Sequence, residues 1–223
     1  MPADAPAPAF VVAIDGPAAA GKGTLAAALA ARLGLAYLDT GLLYRTVGKI
    51  MAVRGFDLDD GDLAGAIAAG LDPDDLKRAD LRGREAGELA SRVAVHPQVR
   101  AALVDFQRGF AATPPGAVLD GRDIGTVICP DADVKIYVTA SPEVRARRRT
   151  DELAAKGRDV DYARILEEVK ERDARDSSRA VAPLKPADDA VLLDTSDLGP
   201  AEVLTRALAI VAGKRGAAGP AAG

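Results

Sequence analysis

Gly16-Pro17-Ala18-Ala19-Ala20-Gly21-Lys22-Gly23-Thr24 lies between an apolar run, Phe10-Val11-Val12-Ala13-Ile14, and a helical stretch, Leu25-Ala26-Ala27-Ala28-Leu29-Ala30-Ala31-Arg32-Leu33. Strand, glycine-bounded loop and helix, in that order, are the setting of a phosphate-binding loop. The glycines let the backbone curl and turn its N–H groups inward, and the helix N-terminus adds positive dipole. Lys22 then reaches the outer phosphates of a nucleotide. The general motif places Ser or Thr directly after the lysine, where its hydroxyl meets magnesium. Here Gly23 holds that place and Thr24 follows. Mg²⁺ is therefore expected to be held mostly by phosphates and water, as that ion readily allows, and no side chain is assigned to it as a direct ligand.

Outward from this loop, short apolar runs alternate with helical patterns. The strand candidates are 10–14, 35–38, 117–119, 134–138 and 191–193. The helix candidates are 24–33, 42–51, 63–69, 84–93, 99–111, 142–156, 162–177 and 201–211. Alternation of this kind predicts an α/β fold, a five-stranded parallel sheet flanked by helices. Ligands then bind beyond the carboxyl ends of the strands. The acidic, glycine-punctuated stretch 56–84 predicts a small helical insertion. No internal repeat is present.

At 223 residues, 48% hydrophobic and 28% charged, the chain fits one domain of ordinary globular composition. With aromatics at 4%, the core must be aliphatic. A net charge of -4 disfavours a nucleic-acid polymer as partner but permits a nucleotide, which needs only a local basic cleft. Cys129 is the only cysteine, so no internal disulfide exists, which suits a reducing cytoplasm. Its pairing with the only histidine, His96, is the one nucleophile–base combination on offer; a buried thiol and a loop residue at a helix start are the simpler readings. Residues 1–9 read as a disordered tail without the basic region of a signal peptide. The chain from about Gly213 reads as frayed, and no apolar run approaches the ~20 residues of a membrane span.

Four further segments carry chemistry. In Asp39-Thr40-Gly41-Leu42-Leu43-Tyr44-Arg45, Asp39 or Thr40 can cap the helix that follows, and Arg45 is placed to pair bidentately with a second phosphate. In Asp120-Gly121-Arg122-Asp123-Ile124-Gly125-Thr126, Asp-Gly alone suits a hairpin turn. An arginine between two acids adds a planar donor fork at Arg122 and acceptors at Asp123 for a base amino group or a hydroxyl. Arg145, Arg147, Arg148 and Arg149 follow a helix start at Ser141-Pro142; they suit a solvated face, yet they cover more than one face and some should meet a polyanion. Arg172, Arg175 and Arg179 share one helical face by spacing, with Asp173 and Asp176 beside them. A ladder of surface ion pairs is the plain alternative, but aligned arginines repel one another unless an anion sits among them. Phosphoryl transfer needs such an arrangement.

Gly-Lys-Gly-Thr resembles the loop of nucleoside monophosphate kinases. Together with Asp39-Thr40-Gly41-x-x-Tyr44-Arg45, Asp120-Gly121-Arg122-Asp123-Ile124-Gly125-Thr126-Val127, Pro130-Asp131-Ala132-x-Val134-Lys135-Ile136 and Arg179-Ala180-Val181-Ala182-Pro183-Leu184, the chain from about Phe10 to Val211 resembles the bacterial cytidylate kinases. The resemblance implies a phosphate-loop kinase domain over 10–212. It would carry a nucleotide-binding insertion at about 42–111 and a lid at about 148–180. It implies transfer of the γ-phosphoryl of ATP to CMP or dCMP with Mg²⁺, by a cytoplasmic monomer without nucleic-acid or membrane partners. ATP would be held by Gly16, Pro17, Ala18, Ala19, Ala20, Gly21, Lys22, Gly23 and Thr24, with Arg148 and Arg149 on the lid. CMP would be held by Thr40, Arg45 and Arg122 at its phosphate, by Ser91, Arg100 and Asp123 at cytosine, and by Arg172 and Asp176 at the sugar, with Tyr44 and Arg179 also in the substrate site. Lys22, Arg122, Arg172 and Arg179 would be catalytic. One departure concerns 71–84, which is too short for the small antiparallel sheet of longer members.

Three rival readings stay in view. Another acceptor on the same scaffold (adenylate, uridylate or thymidylate) is the nearest. A GTP switch needs an Asn-Lys-x-Asp box, and the chain contains no asparagine. A bare ATP-binding module leaves the arginine clusters without a ligand.

Overall fold

The computed structural model describes residues 8–217; the expected tails fall largely outside these residues. Five parallel strands, β1 (Phe10–Asp15), β2 (Ala36–Asp39), β3 (Gly116–Gly121), β4 (Val134–Thr139) and β5 (Val191–Asp194), form one sheet in the order β2-β3-β1-β4-β5. β1 pairs with β3 from Phe10↔Gly116 to Asp15↔Gly121 and with β4 from Val12↔Val134 to Asp15↔Tyr137. Every residue of β3 is buried, as befits a strand covered by helices on both faces. The Asp-Gly pair at 120–121 therefore closes a parallel strand and makes no hairpin.

The helices are α1 (Lys22–Leu33), α2 (Thr40–Val53), α3 (Gly61–Ala69), α4 (Arg84–Val93), α5 (Pro97–Ala111), α6 (Pro142–Ala155), α7 (Tyr162–Ser177) and α8 (Pro200–Ala217). One face of the sheet packs against α1 and α8 through Val12, Ile14, Ile136, Leu29, Ala207 and Val211. The other packs on α5 and the turn after β3 through Ala13, Leu119, Ile124 and Ala111. Helices α2 to α5 share an aliphatic core of their own, Leu43, Val47, Met51, Ala64, Val93 and Leu103. Segment 71–84 contains two short 3₁₀ turns and no strand, as its length predicts. α6 and α7 form a hairpin around Ala146, Leu153, Ile165 and Val169.

Helix starts follow the local chemistry in part. Ser141 Oγ accepts from Val144 N at 3.2 Å, with Pro142 in the first turn of α6, and Asp161 accepts from Ala163 N at 2.9 Å for α7. Such caps stabilise by about 1 kcal/mol each. At α2 neither expected cap forms. Thr40 instead donates to the Asp120 carbonyl at 2.7 Å, and Asp39 faces Arg45 at 3.4 Å. α8 continues to Ala217, past the expected fraying at Gly213. Basic Lys214 and Arg215 suit its negative end, and Arg215 lies 4.1 Å over the Phe10 ring. His96 precedes α5 with Nε2 2.8 Å from the Leu58 carbonyl. Cys129 is half-buried, less enclosed than expected.

Candidate active site

The carboxyl ends of the strands open into a cleft of about 950 Å³, at the upper end for small-molecule sites. The loop after β1 forms one wall. A Cβ on Gly16 would fall 1.9 Å from the Val138 carbonyl oxygen, so only glycine lets the loop pass β4. Gly21 turns into α1 with φ 91°, and Ala19 also takes positive φ, 60°, the kind of strain concentrated at ligand loops. Lys22 is 6% exposed, and its Nζ donates to the Pro17 carbonyl at 2.8 Å. Burial first, then Arg122, lower its pKa to about 7.

The sign of that shift gives a test. In the unliganded protein Lys22 loses its proton above about pH 7. A polyphosphate against Nζ restores the ordinary ammonium. ATP binding at about pH 8 is therefore expected to take up protons, up to about 1 per site. Calorimetry in buffers of differing ionisation enthalpy measures it, and uptake that persists in Lys22→Met would assign it elsewhere.

The second wall carries the arginines. Arg122 Nε donates to Asp176 Oδ2 at 2.9 Å, Arg179 Nη2 bonds Asp176 Oδ1, and Arg172 Nε lies 4.0 Å from Oδ2. Asp176 is 1% exposed. Burial opposes its ionisation, but Arg122, Arg179 and Arg172 outweigh that and hold it below the usual carboxylate range. Burial and Arg122 bring Arg172 down to about 10. The Nε atoms of Arg172 and Arg179 are buried without a hydrogen-bond partner. Buried donors of this kind call for an acceptor from a ligand. The cluster spans the cleft: Arg122 and Arg172 act on Lys22, while Arg179 feels Arg100 and Asp123.

At the far end, Asp123 Oδ2 bonds Arg100 Nη2, and Arg100 also donates to the Ala94 carbonyl at 3.1 Å and lies 5.6 Å over the Tyr44 ring. Ser91, Arg100 and Asp123 are all buried and line the cleft. Thr40, Tyr44 and Arg45 line it too, although Thr40 already donates its hydroxyl hydrogen to Asp120.

The arginine spacings are corrected in three places. α7 ends at Ser177, so Arg179 lies past its end and reaches the cleft from the following loop. Arg175 turns to α4 and does not line the cleft. Arg148 donates to Thr195 Oγ1 at 3.0 Å and to its carbonyl, tying α6 to the loop after β5, whereas Arg149 does line the cleft. Arg145 is an internal anchor, paired with Asp173 and donating to the Ala18 and Ala140 carbonyls. Spacing places a guanidinium on a face; it does not say which carboxylate claims it.

Sequence reasoning missed Asp15. Its two oxygens accept from Ile124 N at 2.8 Å and Gly125 N at 2.7 Å, joining the root of the phosphate loop to the turn after Asp123. Burial raises its pKa to about 6. An acid closing an apolar strand just before a loop glycine is the signal that could have found it. Tyr37 was also missed; its hydroxyl donates to Asp120 Oδ1 at 3.1 Å.

Beside Lys22, the Asp39 and Asp120 carboxylates and Thr24 face the cleft. Burial, then the Asp39 charge, raise the Asp120 pKa. Two mutually opposed acids among oxygen donors fit a hard cation. Such a pair suits Mg²⁺, which commonly keeps water and phosphate ligands beside one or two carboxylates; among the described residues there is no group of three or more His, Cys, Asp or Glu that could hold a metal ion.

Loop, sheet and arginine-lined cleft together define a phosphate-loop kinase. A profile of the cytidylate kinase family matches residues 12–213. The chain is 60% identical over 208 residues to the cytidylate kinase of Paramagnetospirillum magneticum, covering 92% of this chain and 99% of that one. To that of Methylocella silvestris it is 59% identical over 202 residues, covering 91% and 94%. The chain belongs to the cytidylate kinase family. Its fold alone is shared with a gluconokinase from Sinorhizobium meliloti, at TM-score 0.51 and 16% identity over 93% of this chain and 94% of that one. The same holds for an uncharacterized protein from Eubacterium ventriosum, at 0.56 and 11% over 92% and 98%. No helix among the described residues is long and apolar enough to cross a membrane.

Proposed function

We propose that this chain transfers the γ-phosphoryl group of ATP to CMP or dCMP, giving ADP and CDP or dCDP. The observation that carries the reading is the half-buried Arg122–Arg172–Arg179 cluster around buried Asp176, with two Nε atoms that have no hydrogen-bond partner, set between Lys22 and the Ser91–Arg100–Asp123 end. A CMP phosphate oxygen forms the new bond to the γ-phosphorus as the bond to the bridging oxygen of ADP breaks. Little covalent chemistry falls to the protein; positioning and charge stabilisation do the work. Lys22 and the loop amides hold the donor phosphates, Arg45 and Arg122 the acceptor phosphate, and the three arginines meet the charge on the moving group. Mg²⁺, bound through the ATP phosphates with Thr24 and Asp120 beside it, would supply further charge neutralisation. Closure of the α6–α7 hairpin, which carries Arg149, would exclude water. The unpaired Cys129 suits a reducing cytoplasm.

Release of ADP with CMP, dCMP, UMP and AMP as acceptors tests the reading. CMP and dCMP should be preferred, and a preference for AMP overturns it. Asp123 offers Oδ1 to the exocyclic amine of cytosine while Oδ2 holds Arg100. Asp123→Asn is therefore expected to raise KM for CMP about 10–100-fold, the worth of one charged hydrogen bond, and to leave KM for ATP within about threefold. Equal effects on both substrates would count against that role.

A further inference from the structure

Arg175 follows Arg172 on α7 by three residues, yet it leaves the cluster. Its Nη1 crosses to α4 and donates to Glu88 Oε1 at 2.7 Å and to Ser91 Oγ at 3.1 Å. A guanidinium has no acceptor, so Ser91 Oγ can only accept in this contact. Glu88 holds the guanidinium in place. Ser91 is 2% exposed and lines the cleft, and among the described residues its own O–H donates to no protein group. A hydroxyl normally rotates to serve as donor or acceptor. Here, offering a lone pair to the ligand would strand the O–H in buried surroundings, which is unfavourable.

We propose that Arg175 is a positioning residue that fixes Ser91 as a hydrogen-bond donor towards the base, and so favours cytosine over uracil in the acceptor. The inference rests on the reading above, in which Ser91 and Asp123 face the base. The edge of the base then meets one fixed donor, Ser91, and one acceptor, the Asp123 carboxylate. Cytosine presents an acceptor at ring N3 and a donor at its amino group, which match both. Uracil presents N3–H and a carbonyl, which oppose both. Specificity then comes as much from mismatch against uracil as from attraction to cytosine.

The test is kcat/KM for CMP and for UMP in the wild type, Arg175→Met, Arg175→Lys, Ser91→Ala and the Ser91→Ala/Arg175→Met double variant, with thermal midpoints. Arg175→Met is expected to lower the CMP-over-UMP ratio about tenfold, mainly through KM. Arg175→Lys, whose ammonium still donates to Oγ, should recover most of it. In the Ser91→Ala background, Arg175→Met should lower the ratio no further. An unchanged ratio in Arg175→Met while Ser91→Ala lowers it overturns the inference and leaves the function standing. A further fall in the double variant also overturns it, because Arg175 would then act by a route other than Ser91. No CMP preference in the wild type, or none lost in Ser91→Ala, overturns the reading of the base end and the inference with it.

Discussion

Arg179→Ala is expected to slow turnover on the order of 10²–10³-fold while moving the KM values for ATP and CMP far less. Its side chain is 5% exposed and one terminal nitrogen is already spent on Asp176. Its Nε has no protein partner. A donor held in a dry site needs no reorganisation when charge develops in front of it, so its value is greatest in the transition state. Burial, more than any neighbouring charge, disfavours its cationic form, with Asp176 the chief counterweight. An incoming anion relieves that tension. Lysine is a poor substitute, because a compact ammonium cannot bond Asp176 and the moving phosphoryl group with one planar fork. Steady-state rates with CMP and ATP, on protein whose thermal midpoint is unchanged, make the test. A folded Arg179→Ala enzyme with near-normal kcat would remove this residue from the charge-stabilising set.

Much of this was legible before any coordinates. The phosphate loop announces itself because glycine positions, lysine and flanking apolar patterns are all local, and each observed strand lies within a residue or two of its apolar run. The sheet order was not legible: nothing within β1 says that β3 and β4 are its neighbours. The arginines show the same limit at finer scale. Arg172, Arg175 and Arg179 look equivalent at spacings of three and four, yet α7 stops between the second and third. Arg175 finds Glu88 on another helix. Arg145 and Arg148 sit in one run, but one is claimed by Asp173 and the other by the loop after β5. Partners distant in sequence decide these fates. Asp15 escaped for the opposite reason: an acid at a strand end looks solvated until the amides of Ile124 and Gly125 are seen to close on it.

Asp176→Asn is expected to lower stability by about 3 kcal/mol, the low end for breaking a buried pair, because it leaves three partly buried arginines without their counter-charge. In a domain of this size that is roughly 10 °C in thermal midpoint. The carboxylate is 1% exposed and organises Arg122 from the turn after β3, Arg172 from α7 and Arg179 from the loop after α7. Asparagine keeps the shape but offers a single acceptor, and turns an amide donor towards a guanidinium. The pH dependence has a definite sign. Asp176 is held below its ordinary range, so its contribution is present above the unfolded carboxyl pKa and is lost as pH falls through the folded one. The variant should lose that part of the acid sensitivity. Inorganic phosphate separates repulsion from packing loss. An anion seated among the three cations binds the native state alone and stabilises it, so added phosphate should raise the midpoint of the variant more than that of the wild type. Equal increments in both proteins would mean that the variant had lost packing and had not uncovered a cationic site. An unchanged midpoint in Asp176→Asn would mean that solvent already relieves the repulsion, and the cluster would then lose its claim to be a preorganised anion site.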